Sequence, residues 1–343
     1  MILLTGATGY IGSHTWIELL EGSFQVVGVD NLSNSSLDRL GEVSTISKGG
    51  PIFIEGDIRD KGLLTNIFSK YPITHVIHLA GLKDVRESMV NEKQYFDVNV
   101  EGLRNLLEVM RAHNCFKIIF SSSAAVYGQS ATSPISEKSI PVPTNYYGET
   151  KLDGERLLAE EFNKIPAINS VSLRYFNVAG SHPSGLLFDS VLTTSHSLFS
   201  EIAKVLIGEK SSLCIYGDDW DTKDGTCIRD YLHVVDLVKG HLAAMKLLDS
   251  SDGLFTINLG LGHGQSVRDV ISSYEHVVGK KIPQCIASKR MGDVGVSFAD
   301  IDSAIQLIEW RPTHSLSDMC LDSYRVLMTS VELTKSTKAI KRS

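Results

Sequence analysis

The chain of 343 residues is poor in several features that would give it away at once. It has five cysteines (Cys115, Cys214, Cys227, Cys285 and Cys320), scattered and without a C-x-x-C. That pattern argues against a zinc cluster or a disulfide framework, so no metal is expected and the thiols are expected to be reduced. Basic residues are in deficit, 33 Lys and Arg against 40 Asp and Glu, which leaves a net charge of −7. A phosphate backbone demands a dense basic surface, so nucleic acid is excluded as the main partner. No segment approaches the roughly 20 apolar residues that span a bilayer. The opening "MILLTGATGY" has no basic stretch and only a very short apolar run. No membrane partner and no secretory signal are therefore expected, and the cytoplasm is the expected location.

What is present is a long alternation. The chain is 43% apolar and 21% charged, enough for an ample core. Short apolar runs ("ILLT", "QVVGVD", "PIFIEGD", "HVIHLAG", "KIIFSSS", "SVSLRYF") alternate with segments of helical period, among them one long helix from about Glu92 to His113. Continuous apolar strands are buried on both faces, which predicts an α/β fold with a Rossmann-type, doubly wound parallel sheet. After Phe176 the rhythm breaks. We expect a dinucleotide-binding domain from residues 1–176 plus 232–258, where "FTINLG" returns to the sheet. Residues 177–231 plus 259–330 are expected to form a smaller substrate-binding lobe, and 331–343 a flexible tail.

"GATGYIG" places Gly6, Gly9 and Gly12 directly after the first strand and at the mouth of the first helix. Glycines there allow a tight turn and a close approach to a pyrophosphate, whose charge the helix N-terminus favours. Asp30 ends the second strand 18 residues after Gly12. A carboxylate there accepts from an adenosine ribose and repels a 2′-phosphate, which favours NAD over NADP. Asp57 ends the third strand, where an adenine edge is within reach. Ala80, Gly81 and Lys83 end the fourth, on the rim where such sheets bind ligands. His75 and His78 alternate along that strand and read as packing residues.

"YYGETK" sets Tyr147 and Lys151 four residues apart, hence on one helix face. Alone, such a pair is most often a solvated surface. Together with Gly6-x-x-Gly9-x-x-Gly12, "SSSAAVYG" (121–128) and "RYFNVAGSHPSG" (174–185), it resembles the extended short-chain dehydrogenase/reductases. "DNLSNSS", "HLAGLKDVRES", "DGTCIRDYLHVVDL" and "INLGLGHGQSV" narrow the likeness to the UDP-glucose 4-epimerase family. The likeness runs from residue 1 to about 325.

The resemblance implies a tightly held NAD, a UDP-sugar substrate, a homodimer, and a catalytic group of Ser123, Tyr147 and Lys151. Tyr147 would take the proton of the sugar 4-hydroxyl, with Lys151 lowering its pKa and holding the nicotinamide ribose and Ser123 relaying the proton. The coenzyme contacts it implies take in Tyr10, Ile11, Asn31, Ile58, Asn99, Ser121 and Phe176 besides the residues above. Related dehydratases carry an acidic pair, and decarboxylases a glutamate, where this chain has Ala124-Ala125. That favours reversible oxidation at C4 and nothing further. For the substrate, the resemblance points to Asn177 near the phosphates, Tyr216 by the uracil, Arg229 and Arg290 on the diphosphate and Asp293 on the uridine ribose. Arginine forks suit phosphate oxygens, and a carboxylate suits a pair of ribose hydroxyls.

Between "HPSG" and "EIAKVLIG" the chain departs from the family. His196 and Ser197 stand where two asparagines normally meet the nucleotide sugar, and Ser200 stands for a proline. His196 reads either as a phosphate donor or as a solvated loop residue. Ser297, four residues after Asp293, is small where some members carry tyrosine, which leaves room for an N-acetyl group. An epimerase of another nucleotide sugar, such as a uronate or pentose, and a non-catalytic NAD-binding regulator are the two alternatives.

Overall fold

A computed structural model describes residues 1–129, 132–187, 196–290 and 292–340, without side-chain detail beyond 332. The dinucleotide half runs β1 (Ile2–Thr5), α1 (Tyr10–Glu21), β2 (Val26–Asp30), α2 (Asp38–Ser47), β3 (Ile52–Glu55), α3 (Lys61–Lys70), β4 (His75–His78), α4 (Val85–Ser88), α5 (Glu92–Phe96), α6 (Gly102–Ala112), β5 (Lys117–Ser123), α7 (Tyr146–Lys164) and β6 (Asn169–Tyr175). There follow β7 (Asn177–Ala179), α8 (Leu198–Leu206), β8 (Leu213–Tyr216), β9 (Ile228–Arg229), β10 (Tyr231–His233), α9 (Val234–Ser250) and β11 (Leu254–Leu259). The chain then continues through β12 (Gln265–Ser266), α10 (Val267–Val278), β13 (Gln284–Ala287), β14 (Val296–Ser297), α11 (Asp302–Ile308) and α12 (Leu316–Ile340).

Seven strands form one sheet in the order β11-β6-β5-β4-β1-β2-β3, every pairing parallel. Alternate strand residues feed two cores. Leu4, Ile77, Ile119, Val171 and Leu173 pack with Trp16 and Ile17 of α1 and Leu237, Ala244 and Met245 of α9. Leu3, Val76, Ile118 and Phe120 pack with α3, α6 and α7. Both faces are covered, as the continuous apolar runs require. The strand order reverses between β1 and β4, so a crevice opens at their carboxyl ends. The lobe has its own core around Phe199, Ile202, Ile215, Tyr231, Ile271 and Tyr274.

Two expectations are corrected, the long helix and the reduced thiols. The long helix from Glu92 to His113 is broken by a π-turn over Asp97–Glu101. That turn aims Asn99 back at the β4 rim. Helix α12 runs on through Val331 to Ile340, since no glycine or proline follows Pro312 to stop it. The five thiols are not all reduced. β8 and β13 lie side by side with Cys214 opposite Cys285, and the two form a disulfide. Cys115, Cys227 and Cys320 are free and buried. Strands 71 residues apart in sequence meet only through the lobe's tertiary fold, so spacing alone gave no sign of the pair.

Candidate active site

The run Ser121-Ser122-Ser123 ends β5 at the crevice, and α7 lies against it. Tyr147, Lys151 and Glu155 follow one another every fourth residue down a single face of α7, and each rung meets one serine. The Ser123 hydroxyl faces the Tyr147 phenol and favours its ionised form. Lys151 Nζ donates to the Ser121 carbonyl at 2.7 Å. The Ser122 hydroxyl donates to Glu155 at 2.5 Å. Asn145 caps the helix by accepting from the Gly148 N–H. A Cβ on Gly148 would stand 2.6 Å from the Ala125 carbonyl oxygen, so this glycine lets the first turn close onto the strand end. Ser123 also accepts from the Ala125 N–H at 3.1 Å, which fixes its rotamer.

Below the reactive rungs, Arg174 grips Glu155 through two bonds of 2.9 and 2.6 Å and donates to the Tyr127 hydroxyl at 3.0 Å. Tyr127 in turn donates to Asn258. Tyr127 is therefore a framework residue.

Electrostatically the site is dry. Lys151 is buried, and burial lowers its pKa to about 8. Its ammonium lies 5.9 Å from the Tyr147 ring centre and 5.1 Å from that of Phe120. Burial raises the Tyr147 phenol above its ordinary range, and the Ser123 bond only partly opposes this. The lowered phenol pKa expected from the sequence is thus not a property of the chain alone, because desolvation disfavours the phenolate more than one neutral donor favours it. Buried beside Lys151, His78 is held neutral, its pKa lowered to about 3, and it bonds Thr5. His75, largely buried, pairs with Asp249.

The β1–α1 turn fits a dinucleotide. Gly6 has φ +70°, and a Cβ on it would sit 2.7 Å from the Ala80 N–H. Gly12 packs so closely that a Cβ would stand 2.0 Å from the Gly6 carbonyl oxygen. Gly9 begins α1 with no side-chain cap and no acid in the first turn, which leaves that N-terminus to an anion. Asp30 is buried at the end of β2, accepting from the Thr8 and Leu32 N–H groups and the Ser35 hydroxyl. Asp57 is more committed than expected. Arg59 spans its carboxylate and Asn31 donates to it, holding it well below the usual range. Asn99 is likewise engaged, accepting from the Leu82 N–H and donating to the Leu82 carbonyl and Thr150. Lys83 lies 6.0 Å from the Tyr10 ring, and Tyr10 donates to the Gly180 carbonyl. Phe176 is buried directly after β6, and Ile58 is buried just beyond Asp57.

In the lobe, Arg290 stacks over Tyr216 at 4.1 Å. Asp293 lies between Arg290 and Arg229, at 3.4 and 4.0 Å. Ser297 is the β14 partner of Arg229, so these five residues form one cluster. Asn177 is exposed on β7, where its N–H donates to the Asp230 carbonyl. His196 and Ser197 stand at the start of α8. Ser197 caps α8 by accepting from the Ser200 N–H, and exposed His196 lies 3.8 Å from Glu201. The rest of the altered loop, 188–195, falls outside the described residues. Among the described residues no cluster of metal-ligating side chains occurs, and no helix is long and apolar enough to cross a membrane.

Sequence reasoning missed the framework under the serines, namely Glu155, Arg174 and the pair Tyr175–His241. Glu155 had a signal, being one further turn along the Tyr147–Lys151 face. His241, on α9, had none.

Residues 2–260 match the model of the NAD dependent epimerase/dehydratase family. A UDP-glucose 4-epimerase of Bacillus subtilis (strain 168) is 41% identical over 335 residues, covering 98% of this chain and 99% of that protein. The crystal structure of a UDP-glucose-4-epimerase from Stenotrophomonas maltophila, with bound NAD and formylated UDP-arabinopyranose, superposes with a TM-score of 0.94 at 37% identity, covering 97% of this chain and 99% of the other. One from Bifidobacterium longum, in complex with NAD+ and UDP, gives 0.89 at 41% identity, with 96% and 98% covered.

Proposed function

The chain belongs to the NAD-dependent epimerase/dehydratase family, and from that premise we propose that it interconverts UDP-galactose and UDP-glucose by reversible oxidation at C4 of the sugar. One observation carries the reading. Ser123, Tyr147 and Lys151 converge at the carboxyl edge of the sheet, beside a glycine turn shaped for a dinucleotide, with only Ala124 and Ala125 where an extra acid would stand.

NAD, when bound, takes the C4 hydride and returns it. The chain does the rest. Tyr147, as phenolate, accepts the 4-hydroxyl proton and gives it back after the 4-keto sugar has turned over. Ser123 hydrogen-bonds that phenol and passes the proton. The Lys151 ammonium favours the phenolate and has two protons left for the nicotinamide ribose once one is given to Ser121. Gly6, Gly9, Tyr10, Ile11 and Gly12 would hold the pyrophosphate, Asp30 and Asn31 the adenosine ribose. Asp57, Ile58, Ala80, Gly81, Lys83, Asn99, Ser121 and Phe176 would complete the cofactor site. Arg229 and Arg290 would clamp the diphosphate as a pivot, Asn177 beside them, with Asp293 on the uridine ribose and Tyr216 by the base. Ser297, next to Arg229, leaves room for a 2-N-acetyl group, so the N-acetyl sugars belong to the same proposal. His196 and Ser197 would line the nucleotide side. The reading includes a homodimer, with the adjacent α6 and α7 giving four helices across a twofold axis, and a cytoplasmic setting.

The test is proton NMR of the anomeric signals after mixing the purified protein with UDP-galactose and no added coenzyme. Conversion to the gluco epimer is expected. No conversion even with added NAD would overturn the assignment.

A further inference from the structure

His241 and Tyr175 form a polar pair in the apolar core between the sheet and α9. His241 is fully buried, and Tyr175 and Ser121 nearly so. The Nδ1 of His241 contacts the Leu237 carbonyl at 3.0 Å. A carbonyl can only accept, so Nδ1 carries the proton. Burial lowers the imidazole pKa to about 4, keeping the ring neutral, and Nε2 is left as an acceptor. Tyr175 therefore donates to Nε2, at 2.5 Å. Its oxygen then has only lone pairs to offer toward the neighbouring Ser121 hydroxyl, which favours the ionised form of the phenol. The Ser121 carbonyl takes the Lys151 ammonium. In the β5–β6 register Tyr175 is the partner of Ser123, the serine on Tyr147.

Each donor and acceptor in this chain of bonds has one permitted direction. Tyr175 therefore presents only an acceptor to Ser121, the residue whose backbone carbonyl anchors the catalytic ammonium. A leucine–phenylalanine pair would fill the same space without burying polar atoms. We propose that Tyr175 and His241 are positioning residues for the reaction, orienting Ser121 and through it Lys151 so that the Tyr147 phenolate is stabilised. This rests on the function proposed above. The charged and titratable groups around Tyr147 are Lys151 on its own helix, Tyr175 on β6 and His78 on β4, beside Lys151; His78 is neutral, and Tyr175 is held protonated by burial.

The experiment uses Tyr175→Phe, His241→Leu and His241→Gln, the last of which keeps an acceptor near the Nε2 position. Tyr147 is titrated directly by its phenolate absorbance, as the difference between each protein and the same protein carrying Tyr147→Phe. Turnover of UDP-galactose is followed against pH in parallel. Tyr175→Phe and His241→Leu are expected to raise the Tyr147 midpoint by about one pH unit and lower kcat at neutral pH about tenfold, with KM nearly unchanged. His241→Gln is expected to restore both. A purely structural pair would lower the melting temperature without moving the midpoint, and an unmoved midpoint in Tyr175→Phe overturns the proposal. The absorbance titration needs no substrate. If the unmutated protein fails to turn over UDP-galactose, the functional reading falls, while the titration still decides the role of the pair.

Discussion

Replacing Lys151 with methionine keeps the stem of the side chain and removes its charge, which isolates the electrostatic part of its role. The ammonium lies 5.9 Å from the Tyr147 ring centre. At an effective dielectric constant of about 20, a unit charge at that distance is worth roughly 3 kcal/mol to a phenolate, or about two pKa units. Loss of the positive charge raises the Tyr147 pKa. Below that pKa the phenolate fraction, and with it kcat, falls about a hundredfold. The sign carries a second consequence. Burial brings the Lys151 pKa down to about 8, so the ammonium helps only below that pH and loses its proton above it. The gap between the two proteins should be widest near neutrality and close above about pH 8. The assay is kcat with UDP-galactose from about pH 6 to about pH 10, with retained NAD measured at each point. A loss of the same size at every pH would refute the electrostatic argument and leave Lys151 as a coenzyme contact only.

Gly6→Ala forces a non-glycine residue to φ +70° and a Cβ to 2.7 Å from the Ala80 N–H. The backbone term alone is about 1–2 kcal/mol, and the purified variant should carry little NAD, read from its absorbance; full retention would show that the turn yields. Glu155→Ala leaves Arg174, whose side chain is 6% exposed, without its carboxylate. A loss of about 3–5 kcal/mol is expected in denaturant unfolding, as for one partner removed from a buried pair. Glu155→Gln should lose less, and equal losses would show that the charge is immaterial. Arg290→Ala should raise KM for UDP-galactose at least about tenfold and change kcat less, since a clamp on the diphosphate acts before and during the reaction alike. Ser297→Tyr should suppress turnover of UDP-N-acetylgalactosamine while sparing UDP-galactose; equal effects on both would remove Ser297 from the specificity argument.

Much of this arrangement is legible in the sequence. The six quoted runs each contain one of the first six strands, although the third, fourth and sixth strands stop short of the expected Asp57, Gly81 and Phe176, at Glu55, His78 and Tyr175. "FTINLG" does rejoin that sheet, at its edge beside β6. The helix at Glu92 was misjudged because a π-turn changes the period without changing composition.

The sequence by itself determined the local chemistry: which strand ends carry glycine, serine or carboxylate, and which helix face carries Tyr147 and Lys151. These are properties of neighbours within one turn or one strand, and the period of the backbone sets them. The tertiary structure decided everything that joins distant segments. It paired Cys214 with Cys285, brought Asp293 between Arg229 and Arg290, and set His241 against Tyr175, 66 residues away. It also decided the sign of the Tyr147 shift, because desolvation depends on what the whole fold places around a group. No residue carries that information in its own identity.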